Sequence, residues 1–149
     1  MFQRILVAYD GSEHAKRALE TAASIARMTS GAELHVVHVV RFDRFEEGVF
    51  TEMQSLSSMS RSDYREIVLK EGERRLEEAK KRLEGEPFAV HSAVLEGDPA
   101  RRIVEYAEEK GIDLIVVGRR GLTMLQELFL GSVSHRIAQL AKSSVLIAK

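Results

Sequence analysis

Short aliphatic runs alternate with stretches of helical period along the whole chain, and that alternation leaves few folds open. Arg4-Ile5-Leu6-Val7-Ala8-Tyr9 is the first run. Behind it, Ser12 is placed to cap a helix whose apolar positions are Ala15, Ala18, Leu19, Ala22, Ala23 and Ala26, ending near Gly31. Glu33 to Val40 reads as a second strand. The segment Arg41 to Arg61 has no clean period and reads as a long loop. Asp63-Tyr64-Arg65-Glu66 resembles a capping pair for a helix to about Glu84, with Tyr64, Ile67, Val68, Leu76, Ala79 and Leu83 on one side. Phe88 to Leu95 is a third strand. Asp98-Pro99 supplies a cap and a first-turn proline for a helix through Lys110, closed by Gly111. Asp113 to Val117 is the fourth strand, Ser132 to Ala141 the last helix, and Val145 to Ala148 a final strand. Strand and helix in alternation predict an α/β fold, a mostly parallel sheet with helices on both faces. With 149 residues, 44% of them hydrophobic, the chain is expected to form a single domain over 1–149 with a substantial core.

In such a sheet, ligands bind beyond the carboxyl ends of the strands, where the strand order reverses. The fourth strand runs into Gly118-Arg119-Arg120-Gly121, and Gly131-Ser132-Val133-Ser134 follows at the start of the last helix. Glycines let a backbone approach a ligand closely, and a helix N-terminus offers unpaired N–H groups and partial positive charge, which suit phosphate. The first strand ends in Tyr9-Asp10-Gly11-Ser12, adding a carboxylate and a hydroxyl. No G-x-G-x-x-G follows the first strand and no G-x-x-x-x-G-K-[ST] occurs anywhere, which argues against a dinucleotide enzyme and an ordinary P-loop NTPase.

The rest of the composition mainly excludes. A net charge of −1, with Lys and Arg interleaved among Glu, gives no reason to expect nucleic acid. No apolar run approaches a membrane span, and Met1-Phe2-Gln3-Arg4 is read as leading into a strand rather than a signal peptide. Without Cys there are no disulfides and no thiolate chemistry, which is compatible with the cytosol. Many Glu and Arg with no Asn is a composition expected of a thermophilic source.

The segments Ala8-Tyr9-Asp10-Gly11-Ser12, Leu34-His35-Val36-Val37-His38-Val39-Val40, Glu96-Gly97-Asp98-Pro99-Ala100 and Asp113-Leu114-Ile115-Val116-Val117-Gly118-Arg119-Arg120-Gly121 together resemble the universal stress protein family over the whole chain. The complete G-x2-G-x9-G-[ST] pattern resembles its ATP-binding branch. That resemblance implies a three-layer α/β/α sandwich of the adenine nucleotide alpha hydrolase-like type. Its sheet would be five-stranded and parallel in the order 3-2-1-4-5, and a cytoplasmic homodimer would pair through the last strands. It implies ATP, ADP or AMP as ligand, accompanied by Mg²⁺ or Mn²⁺. Ala8 and Tyr9 would line the adenine side, with Val39 across from them, and Asp10 would approach the ribose or a metal. Gly118, Arg119 and Gly121 would wrap ribose and phosphates. Gly131, Ser132, Val133 and Ser134 would present N–H and hydroxyl groups to the phosphate tail. Ser144 stands where many members have a proline, and His135 where an acidic residue is common.

Two classes of function follow: a nucleotide-binding stress-response or regulatory protein, and an enzyme that slowly hydrolyses or transfers from ATP. A third is an interaction module that binds no nucleotide, against which the glycine pattern argues. The absence of a P-loop lysine favours binding over turnover. The histidines are expected to be structural: His14 on the surface, and His35, His38 and His91 hydrogen-bonded at the core edge, with no spacing among them that suggests a metal site.

Overall fold

A computed structural model describes residues 1–42, 60–119 and 130–149. The elements run β1 (Arg4–Ala8), α1 (Glu13–Arg27), β2 (Glu33–Val40), α2 (Arg61–Arg82), β3 (Ala89–Glu96), α3 (Pro99–Lys110), β4 (Leu114–Gly118), α4 (Ser132–Leu140) and β5 (Ser144–Ala148). All the strand pairings are parallel, and the sheet order is β3-β2-β1-β4-β5. The order and the parallel pairing are those the sequence resemblance implies.

Right-handed crossovers explain which helix lies where. The chain steps from β1 to β3 in one direction across the sheet, so α1 and α2 fall on one face. It then returns past β1 to β4 and β5, so α3 and α4 fall on the other. Alternating strand residues serve both. Ile5, Val7, Leu34, Val36 and Val116 pack with Ala18, Leu19, Ala22, Leu76 and Ala79 of α1 and α2. Leu6, Val37, Ile115 and Val117 pack with Ile103, Tyr106, Ala107 and Ile137 of α3 and α4. Small residues dominate the buried stripe of α1, which lets that helix sit close to the sheet.

Local signals set the helix ends. The side chains of Ser12 and Asp98 accept from the N–H groups of Ala15 and Arg101, and Gly111 closes α3 at φ 64°. Three readings of the sequence need correction. The second helix begins at Arg61 rather than beyond it, because Ser60 caps it by accepting from Asp63 N–H. Helix α1 ends at Arg27, short of Gly31, which occupies the turn to β2 at φ 75°. Ile67 is 52% exposed, since the stripe of α2 that faces the sheet runs through Tyr64, Val68, Gly72, Leu76 and Ala79 and Ile67 lies off it. Of the segment read as a long loop, 43–59 lie outside the described residues.

Candidate functional site

The strand order reverses between β1 and β4, neighbours whose following helices lie on opposite faces. Helices therefore diverge beyond their carboxyl ends and leave a crevice, the usual ligand position in open parallel sheets. Around it stand the β1–α1 turn, the end of β4 and the start of α4.

The β1–α1 turn is built by Gly11 at φ 82°, which reverses the chain so that Asp10 Oδ1 accepts from Ser12 N–H at 2.9 Å. That bond fixes the half-buried carboxylate through Oδ1. Arg75 of α2 lies across the turn, its guanidinium in the space a Gly11 side chain would need. No sequence pattern pointed to Arg75, because its approach depends on how α2 crosses the sheet.

On the far side of the crevice, the end of β4 is tied backbone to backbone to β5 and to the start of α4. Arg119 N–H donates to Ala148 O at 3.1 Å, and Gly131 N–H donates to Arg119 O at 2.8 Å. Ser134, 5% exposed, donates its hydroxyl to Gly118 O at 2.6 Å. Helix α4 thus begins directly beside the end of β4. Its N-cap, Gly131, has φ −60° and ψ 150°, backbone that any residue adopts, and makes no side-chain capping bond. The helices α1, α2 and α3 are all capped by a side chain. Among the described residues, the first turn of α4 therefore has no side-chain cap of the kind the other helices carry, and an anion could provide the acceptor. Ser132 and Val133 are exposed at that end.

The structure divides the residues that the sequence grouped. Ala8 and Val39 share the α3/α4 face near the carboxyl ends of β1 and β2. Tyr9 points the other way, 1% exposed, with its hydroxyl donating to Glu78 Oε1 at 2.7 Å. Burial, then the Glu78 carboxylate, pushes this phenol up to about 12. Only the Tyr9 backbone remains at the strand end, where its carbonyl accepts from His38 Nδ1–H at 2.8 Å. Gly121 lies outside the described residues. His14, expected on the surface, is half-buried with its Nδ1 enclosed and unpaired, because its helix turn packs against the end of β4.

The profile of the universal stress protein family matches residues 1–149. The chain belongs to the universal stress protein family. It is 38% identical to universal stress protein YxiE of Bacillus subtilis, over 149 residues and the whole of both chains. The solved structure of MJ0577 of Methanocaldococcus jannaschii superimposes with a TM-score of 0.83 at 28% identity, over 100% of this chain and 96% of that one. A universal stress protein solved in complex with cAMP is similar at a TM-score of 0.71 and 26% identity, over 99% of this chain and 97% of that one. No helix among the described residues of this universal stress protein is long and apolar enough to cross a membrane.

Proposed function

We propose that this universal stress protein binds an adenine nucleotide in the crevice beyond β1 and β4 and holds it as a regulatory ligand. The observation that carries the reading is the uncapped N-terminus of α4, tied through Ser134 and Gly131 to the end of β4. The relative bound to cAMP supports an adenine nucleotide as the anion. In this reading Ala8 and Val39 receive the base beside the Tyr9 backbone, and the Oδ2 of Asp10 takes a ribose hydroxyl or a Mg²⁺ or Mn²⁺ ion. Arg119 and Gly121 flank the ribose and phosphates. The N–H groups of Ser132, Val133 and Ser134 meet the phosphate tail with the Ser132 hydroxyl. The Ser134 hydroxyl is already committed to Gly118.

Because the Gly131 backbone does not itself demand glycine, the missing side chain is what opens the first turn to phosphate. Gly131→Val should therefore weaken ATP binding by more than tenfold, about 1.4 kcal/mol or more, in titration calorimetry. Equal affinity for wild type and variant would remove the assignment. Mass spectrometry of the natively purified protein identifies which of ATP, ADP and AMP it carries.

A second copy of this chain is the proposed macromolecular partner. β5 ends the sheet as an edge, with Val145, Leu146 and Ile147 only half-buried. Pairing two such edges across a two-fold axis satisfies their free backbone groups and covers those side chains. Light scattering should give a dimer mass; a monomer at high micromolar concentration would refute this pairing.

A further inference from the structure

At the end of the sheet opposite the crevice, two histidines and a glutamate converge. Glu33 and His35 are two residues apart on β2, so both project from the face that α3 covers. His91 is the registered neighbour of His35 on β3, and the two rings stack with centroids 4.6 Å apart. One ligand atom from each of the three residues lies within 4.8 Å of the others. Both Nε2 atoms sit 3.6 Å from Glu33 Oε2. That is too long for a hydrogen bond. It is close to the spacing of about 3.4 Å that tetrahedral bonds of about 2.05 Å to a common ion impose.

His35 shows that the cluster is more than a solvated ion pair. The residue is 6% exposed, and its Nε2 is buried with no hydrogen-bond partner. Its other nitrogen, Nδ1, lies 2.9 Å from Tyr106 Oη. In the tautomer whose Nδ1–H donates to that hydroxyl, Nε2 carries a lone pair facing Glu33 and His91, the arrangement in which a second-shell partner orients a ligating imidazole. Arg4 Nε stands 3.7 Å from Glu33 Oε2, but its side chain is half exposed, and such a pair competes weakly.

We propose that Glu33, His35 and His91 bind a divalent transition-metal ion, Zn²⁺ in the first instance, with one coordination position open. Two imidazoles and a carboxylate around an open position are a donor set that Zn²⁺ favours. Glu33, His35 and His91 line a cavity of about 500 Å³ together with Arg4 and Lys110, whose charges suit water or a small anion as the remaining ligand. Bound there, the ion would fasten β2 to the edge strand β3. It is separate from any Mg²⁺ or Mn²⁺ carried with a nucleotide beside Asp10, at the other end of the strands.

The test is titration of the chelator-treated full chain with ZnCl₂ by calorimetry and with CoCl₂ by visible absorption. One Zn²⁺ per chain is expected, with the strong d–d bands of low-coordinate Co²⁺. His91→Ala and Glu33→Gln change partly exposed residues, so both variants should fold, as circular dichroism will verify. Each should weaken Zn²⁺ binding by about a hundredfold or more and abolish the Co²⁺ bands, since even second-shell changes cost about 10–100-fold. Tyr106→Phe, acting only through the orientation of His35, should cost about tenfold. His135→Ala, on exposed α4, should leave the affinity unchanged. Absence of saturable Zn²⁺ binding, or equal affinity for wild type and His91→Ala, overturns the site.

Discussion

Gly118→Val should lower the melting temperature by about 10 °C. A Cβ at residue 118 would meet the carbonyl oxygen of His14 at 2.7 Å, its carbonyl carbon at 2.8 Å and its Cβ at 2.9 Å. These are atoms of the first turns of α1, which is packed along β1 and β4 with six buried positions and cannot retreat without opening the core. From the other side, the end of β4 is held by Ser134 Oγ–H on Gly118 O and by Arg119 N–H on Ala148 O. Neither partner can give way cheaply. Overpacking against fixed backbone costs about 3 kcal/mol for valine. Each kcal/mol shifts the midpoint of a domain this size by about 3 °C. A thermal melt within about 2 °C of wild type would show that α1 yields after all, contrary to this packing argument. The result bears on function too. Gly118 has a packing reason to be glycine, so loss of nucleotide binding on its replacement would not by itself reveal a contact. Gly131, whose backbone is ordinary, is the sharper probe.

ATP should be turned over at roughly 0.01 per second or slower, at least a hundredfold below the roughly 1–100 per second of dedicated kinases. Phosphoryl transfer needs charge neutralisation on the transferring group and a residue that orients the attacking nucleophile. The segment joining β4 to α4 contains no lysine. Asp10, the carboxylate beside the crevice, is fixed by Ser12 N–H in the role of a turn residue. The Ser134 hydroxyl is engaged with Gly118 O. Among the described residues, what remains is suited to holding a triphosphate: helix N–H groups, the Ser132 hydroxyl and Arg119. A steady-state assay with Mg²⁺ that gave turnover near one per second, abolished by Gly131→Val, would make catalysis the better account.

The elements and their caps were legible in the sequence because they rest on local physics. A helix needs only its own period and a cap within three residues, as Ser12 and Asp98 supply. A buried parallel strand needs only a short aliphatic run. Where a local signal was misread, the helix's own frame decided. Ser60 rather than Asp63 caps α2, and Ile67 stays exposed because it lies off the stripe of Tyr64, Val68, Gly72, Leu76 and Ala79 that faces the sheet.

The candidate nucleotide site was legible for a related reason. Along the sequence its glycines, hydroxyls and carboxylate fall just after two strands or at the start of the helices that follow, and an α/β alternation already brings such segments to one edge. By itself the sequence therefore determined the fold class and the location of the crevice. Only the tertiary structure decided how the side chains around it are used. Tyr9 is turned into the α1/α2 core, the Ser134 hydroxyl is committed to the end of β4, and His14 packs against Gly118. The convergence of Glu33, His35 and His91 was beyond the sequence altogether. His35 and His91 are 56 residues apart and become neighbours only through the register of β2 on β3. Register is a property of the assembled sheet, fixed by burial of both its faces at once, and no spacing along one strand encodes it.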